Sequence, residues 1–214
     1  MINPFENITE REKLKLIELL KGHIYYFEEN DDVLSVIKNK NIVCILLEGY
    51  AQILNINYNG DEMLISDLYE NSVFGTYISD INNLDCEIQA KSKSKILVFD
   101  YANFSNPKNT SYSYYNIFIN NMFDIICNIL KENNYRTRIL SKKNIRDKIL
   151  EFLEIEYEKK HTKYIYLPMS LKDLADYLSI NRSAMFRELK YLKEDGIIKI
   201  DGRKITLIQK KEPF

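Results

Sequence analysis

Residues 179–196 read "SINRSAMFRELKYLKEDG", and the stretch just before it, residues 170–178, reads "SLKDLADYL". Together they break into two helices and a tight turn. Ser170 and Asp173 are spaced to cap the first helix, which turns Leu174, Ala175 and Leu178 inward. Ala175 is small, as a close helix crossing requires. Asn181 caps the second helix, whose buried stripe is Met185, Leu189 and Leu192. Steps of one and four then place Arg182, Ser183, Phe186, Arg187 and Lys190 on one exposed surface. Arginines and a lysine there reach guanine edges and phosphates, and a phenylalanine can lie against a thymine methyl. "IIKIDGRKITLI" follows as two alternating strands joined at Asp201-Gly202, a hairpin wing.

The charge is divided to match. The 214 residues carry a formal net charge of only -1, but residues 141–214 hold 17 Lys+Arg against 12 Asp+Glu, a local excess of +5, leaving -6 for residues 1–140. The back half is the one suited to a polyanion.

Upstream, "TEREKLKLIELLKG" reads as a first helix, with Thr9 and Glu12 forming a capping box and Gly22 as its stop. From Ile24 to about Asp100 the texture changes to short apolar or alternating runs, "YYF", "IVCILLEGYAQILNINY", "EMLISDL", "EIQA" and "KILVFD". Asn59-Gly60 signals a type I′ hairpin. Many short strands with turns between them predict a barrel-like or sandwich β domain. From about Tyr112 to Leu140 the pattern is helical and apolar on more than one face. A helix on a single core needs one stripe. A second face fits either a helix buried within one domain or, the reading favoured here, pairing with a twin helix along Ile119, Met122, Ile126 and Ile129, with Asn133 fixing register. A further helix is expected after a cap-like Ser141, with a stripe of Ile145, Ile149, Leu150 and Leu153.

This order of parts resembles the Crp/Fnr family of bacterial transcription regulators over nearly the full chain, most closely in "LSINRSAMFRELKYLKEDGII" and "ILLEGYAQILNINYNGDEMLISDLYENSVFG". The resemblance implies an α+β protein: a jelly-roll-like β-roll sensor domain with an N-terminal helix (1–110), a long dimerisation helix (111–140) and a winged helix–turn–helix DNA-binding domain (141–214). It implies a homodimer on an inverted-repeat site in double-stranded DNA, with RNA polymerase as a further partner. By family position Arg182, Ser183 and Arg187 read bases, and Ser170, Asn181, Phe186 and Lys190 complete the expected DNA-binding set. Ser179 departs from the family's usual Gly in the turn, which predicts backbone strain there, and Phe186 is large where a small residue is common.

Cyclic-nucleotide-binding members carry a Glu after the Phe-Gly pair and an Arg-Ser pair further on. Here Phe74-Gly75 is followed by Thr76, Leu84-Asp85-Cys86 stands near the expected Arg-Ser, and no arginine occurs between Arg11 and Arg136. A bidentate phosphate fork is missing from the β domain, so cyclic AMP is not expected. If an effector exists, family position places it near Gly75, Thr76, Tyr77, Leu84 and Cys86. Three scattered cysteines, Cys44, Cys86 and Cys127, suit neither an iron–sulfur cluster nor a disulfide framework. His23 and His161 offer no metal triad. No cofactor, metal site or catalytic constellation is expected, and the protein is read as a non-enzyme. With no membrane span and no export signal at its start, it is expected in the cytoplasm. The alternative class is a small-molecule-binding or protein-interaction module without specific DNA readout.

Overall fold

The computed structural model describes residues 2–37, 41–56, 58–60, 62–78, 86–104, 106–167 and 169–208. The chain forms two compact units, Met1–Cys127 and Asn128–Phe214.

In the first unit, helix α1 (Glu10–Leu19) starts with the expected capping box: Thr9 accepts from the Glu12 amide, and the Glu12 carboxylate accepts from the Thr9 amide. Its exit differs from expectation. Lys21, at φ 50°, takes the left-handed conformation, and Gly22 serves close packing instead, since a Cβ there would lie 2.6 Å from the Phe99 ring. Strand β1 (His23–Phe27), the one-turn helix α2 (Val33–Val36), and strands β2 (Ile42–Glu48), β3 (Ala51–Ile56), β4 (Glu62–Leu68), β5 (Val73–Phe74), β6 (Cys86–Ala90) and β7 (Ser94–Asp100) follow, then the short helix α3 (Tyr101–Phe104). They make two antiparallel sheets, ordered β1-β7-β2-β5 and β4-β3-β6.

The sheets share one core, with Phe27, Ile42, Cys44, Leu46, Phe74, Ile96 and Val98 from the first meeting Ile53, Leu68 and Ile88 from the second. The intervening residues of the central strands, Val43, Ile45, Leu97 and Phe99, are buried on the opposite face. There Phe99 packs near Phe118 of the long helix, ring centroids 6.1 Å apart. A strand buried on both faces must be apolar at every position, which is why "IVCILL" and "ILVF" read as runs rather than alternations. The β3–β4 hairpin forms where Asn59-Gly60 predicts one, but among the described residues of its loop only Gly60 has positive φ, 81°, so Asn59-Gly60 is not the central pair of a type I′ turn.

Helix α4 (Ser113–Leu140) crosses from one unit into the other. Tyr115, Phe118, Met122 and Ile125, at steps of three, four and three, are buried in the first unit. Phe5 stacks on Phe118 at 5.5 Å, and the Asn121 side chain donates to the carbonyls of Pro4 (3.1 Å) and Glu6 (2.9 Å). Met122, one of the residues expected along the pairing stripe, is only 5% exposed and belongs to this buried row. The large apolar residues left on the outside are Phe123, 66% exposed, and Leu130, 56% exposed, flanked by half-buried Ile119 and Ile126, with Leu140, 38% exposed, at the helix end.

In the second unit, helix α5 (Ile145–Lys160) begins after Asn144, not Ser141, because the Asn144 Oδ1 accepts from the Asp147 amide at 2.7 Å. Strand β8 (Tyr164–Tyr166), helices α6 (Leu171–Tyr177) and α7 (Arg182–Glu194), and strands β9 (Ile198–Asp201) and β10 (Lys204–Leu207) complete it, with sheet order β8-β10-β9. The β9–β10 loop has positive φ at Gly202 alone, 56°, the pattern of a II′ turn. Its core joins Phe152 and Leu153 of α5, Leu174 and Ala175 of α6, Met185 and Leu189 of α7, and Ile165, Ile198 and Ile205 of the sheet. Ile139, from the last turn of α4, is 1% exposed in that same core. The expected domain boundary at Leu140–Ser141 thus falls inside the second unit.

Candidate nucleic-acid interface

Ser170 and Asp173 form the capping box of α6. Ser170 Oγ accepts from the Asp173 amide at 3.2 Å, and the Asp173 carboxylate accepts from the Ser170 amide at 3.3 Å and hydroxyl at 2.7 Å. These Ser170 bonds hold the Asp173 carboxyl below its ordinary range. The helix closes with the Ser179 amide donating to Asp176 O and the Ile180 amide to Ala175 O, both at 3.0 Å. Ser179 sits at φ 51°, the left-handed region where a side chain is disfavoured, as the missing glycine predicts.

Asn181 then caps α7, its Oδ1 accepting from the amides of Ser183 (3.0 Å) and Ala184 (3.4 Å) and from the Ser183 hydroxyl (2.6 Å). Met185, Leu189 and Leu192 are buried, and the helix is thereby rotated so that Arg182, Ser183, Phe186, Arg187 and Lys190 are all exposed. The five residues grouped by spacing do share one face.

Their electrostatic states differ. Arg182 Nη2 pairs with Asp176 Oδ2 at 2.8 Å across the turn, and Lys190 Nζ stands 3.7 Å from Glu194 Oε1. Arg187 has no ionic partner among the described residues. Glu188, the acid beside it, faces inward to Arg146 Nη1 at 3.3 Å, and Arg146 also pairs with Asp195. Glu188 is thus drawn away from the outer face, which keeps Arg187 as a cationic centre while Glu194 stays beside Lys190 at its far end. Ser170 and Asn181 hold the helix starts; their polar atoms are engaged in capping.

The sheet adds a surface that the sequence reading passed over. Tyr164 and Tyr166 flank buried Ile165 and remain exposed, and Lys204 Nζ lies 4.7 Å and 5.6 Å from their ring centroids. The alternation "YIY" was the available signal.

The effector candidates are less coherent. Gly75 has φ 130°, and a Cβ there would lie 2.4 Å from the Ile42 carbonyl oxygen. The Thr76 hydroxyl accepts from the Ile42 amide at 3.0 Å, and Tyr77 stacks on Tyr101 with centroids 3.4 Å apart. This turn is sewn to Ile42, the first residue of β2. Cys86 lies in the other sheet, its Sγ 3.9 Å from the Asn55 side-chain nitrogen. Leu84 is outside the described residues. Cys44 is fully buried, which pushes its thiol pKa well up. No group of three metal-ligating side chains occurs among the described residues, and none of their helices is long and apolar enough to cross a membrane.

A β-roll followed by a long helix and a winged helix–turn–helix is the architecture of one class of bacterial regulators. Residues 147–212 match the Crp-like helix-turn-helix domain. Over the whole chain, OCPA-complexed CprK superposes with a TM-score of 0.63 at 19% identity, covering 92% of each chain. A mutant of CooA from Carboxydothermus hydrogenoformans gives 0.56 at 19% identity, covering 94% of this chain and 93% of that one. The Thermus thermophilus catabolite activator protein gives 0.50 at 13% identity, covering 95% and 92%. No curated protein matches the sequence. The C-terminal domain is thus a Crp-like helix–turn–helix domain, and the chain as a whole has the fold of the Crp/Fnr-type regulators.

Proposed function

We propose that the protein is a homodimeric, sequence-specific DNA-binding transcription regulator that acts in the cytoplasm. The observation that carries this reading is the outer face of α7, where Arg187 stands without an ionic partner among the described residues, beside Ser183, Phe186 and two further cations. Arg187 is the candidate for a bidentate guanine contact, and Arg182 and Lys190 are held by exchangeable surface pairs that a phosphate can displace.

The dimer forms through α4. Ile119, Phe123, Ile126, Leu130 and Asn133 step by four, three, four and three, the heptad spacing of a two-stranded coiled coil. This row keeps three residues of the expected seam and replaces Met122 and Ile129 with their neighbours. The first unit is the sensor, and CprK complexed with OCPA on this fold supports a ligand-binding role for it. The ligand here is not a cyclic nucleotide, because the unit holds a single arginine, Arg11, and the Thr76 hydroxyl is already bonded to β2. The test is binding to random and selected duplexes across salt concentrations. The proposal expects a steep salt slope together with a preferred inverted repeat; binding with neither contradicts it.

A further inference from the structure

The corner between α4 and α5 carries a charge cluster that neither the core nor the DNA face requires. Glu151, on α5, is 8% exposed. Its Oε1 accepts from Arg138 of α4 through Nε at 2.9 Å and Nη2 at 2.8 Å, and its Oε2 lies 2.8 Å from Lys142 Nζ in the connecting segment. One buried carboxylate therefore grips both the last turn of α4 and the link to α5. Arg138 also reaches Glu158 at 3.5 Å, and further along the same pair of helices Lys159 bonds Glu132 of α4 at 2.8 Å.

A buried ion pair contributes little net stability compared with apolar residues of the same volume, and its best-attested use is to specify geometry. The cations here are themselves 40–45% exposed, so removing the carboxylate leaves them in water and not as buried orphans. Geometry is what the cluster controls. If two copies pair along α4, the offset of each recognition helix from the two-fold axis is set inside one protomer, through the α4–α5 corner and the core that joins α5 to α7.

We propose that Glu151 is a positioning residue for DNA recognition: by latching Arg138 and Lys142 it locks the α4–α5 corner, so that residues 128–140 move with the winged domain and the half-site spacing is fixed. This rests on the dimeric DNA-binding reading above.

The experiment compares wild type, Glu151→Gln, Arg138→Gln, the double variant, and the exposed-face control Glu154→Gln. It uses full-length protein and a library of inverted repeats whose half-sites differ only in separation, with hydrogen exchange of the Asn133–Leu140 amides read in parallel without DNA. Wild type and Glu154→Gln are expected to favour one separation by about tenfold or more over neighbours two base pairs away. Each latch variant should flatten that preference to about threefold, keep the same half-site sequence, and speed exchange in the last turns of α4, with the double variant no worse than either single. Should Glu151→Gln fail to fold, Arg138→Gln, altered at a half-exposed side chain, carries the test. A sharp wild-type spacing and slow exchange that both survive in the latch variants overturn this proposal. A wild type with no spacing preference and no inverted repeat overturns the functional reading instead.

Discussion

The guanidinium of Arg182 and the carboxylate of Asp176 meet at 2.8 Å across the turn between α6 and α7, so one of the face's cations is held by an acid from the preceding helix. Both side chains are at least half exposed, which makes the pair weak and exchangeable. Replacing Asp176 with Asn should release Arg182 and remove a charge that repels phosphate. Affinity for all duplex sequences should rise by a few-fold, about 0.5–1 kcal/mol, with a steeper salt slope. Titrations of random duplex at several salt concentrations measure both.

Ser179 at φ 51° supplies a stability prediction. Glycine at this position removes the steric cost of the left-handed conformation, partly offset by greater freedom of the unfolded chain. Ser179→Gly should stabilise the second unit by about 1 kcal/mol, and Ser179→Ala should bring no gain. Denaturant midpoints compared at constant slope decide it.

Adjacent residues on α4 should give opposite phenotypes. Phe123→Glu, on the exposed row, should yield folded monomers, whereas Met122→Ala, in the core of the first unit, should cost about 2–5 kcal/mol of stability and leave the dimer interface intact. Sedimentation and thermal unfolding of the two variants separate the roles.

That contrast also marks what the sequence could and could not reveal. The two capping boxes, Thr9–Glu12 and Ser170–Asp173, were legible because each closes within four residues. The face of α7 was legible because Met185, Leu189 and Leu192 fix its rotation. On α4, however, apolar neighbours come in pairs, Met122 with Phe123 and Ile129 with Leu130, and periodicity alone does not say which member the sheet covers. That is decided by Phe5 and Asn121, contacts more than a hundred residues apart in sequence. The start of α5 was missed because Ser141 and Asn144 are both good caps, and only the bond to the Asp147 amide selects between them. The Glu151 cluster needed the corner to close before its charges met.

Acid should weaken that cluster. Burial acts to raise the Glu151 pKa, but Lys142 and Arg138 outweigh it and hold the carboxyl below the ordinary glutamate value of 4.5. A carboxyl depressed in the folded state stabilises fully above its unfolded pKa, and that contribution is lost as pH falls through the folded value. Below about pH 4.5 the stability difference between wild type and Glu151→Gln should therefore shrink, as unfolding free energies measured across that range will reveal.

Competition binding of wild type and Arg187→Ala against a panel of single-base site variants, at fixed salt, bears most directly on α7 as the reader of DNA. The loss of Arg187 should cost about 1–3 kcal/mol and relax selectivity at one base pair in each half-site, while Lys190→Ala weakens all sequences alike. Unchanged affinity and unchanged sequence preference in Arg187→Ala would contradict the assignment of this helix to the groove.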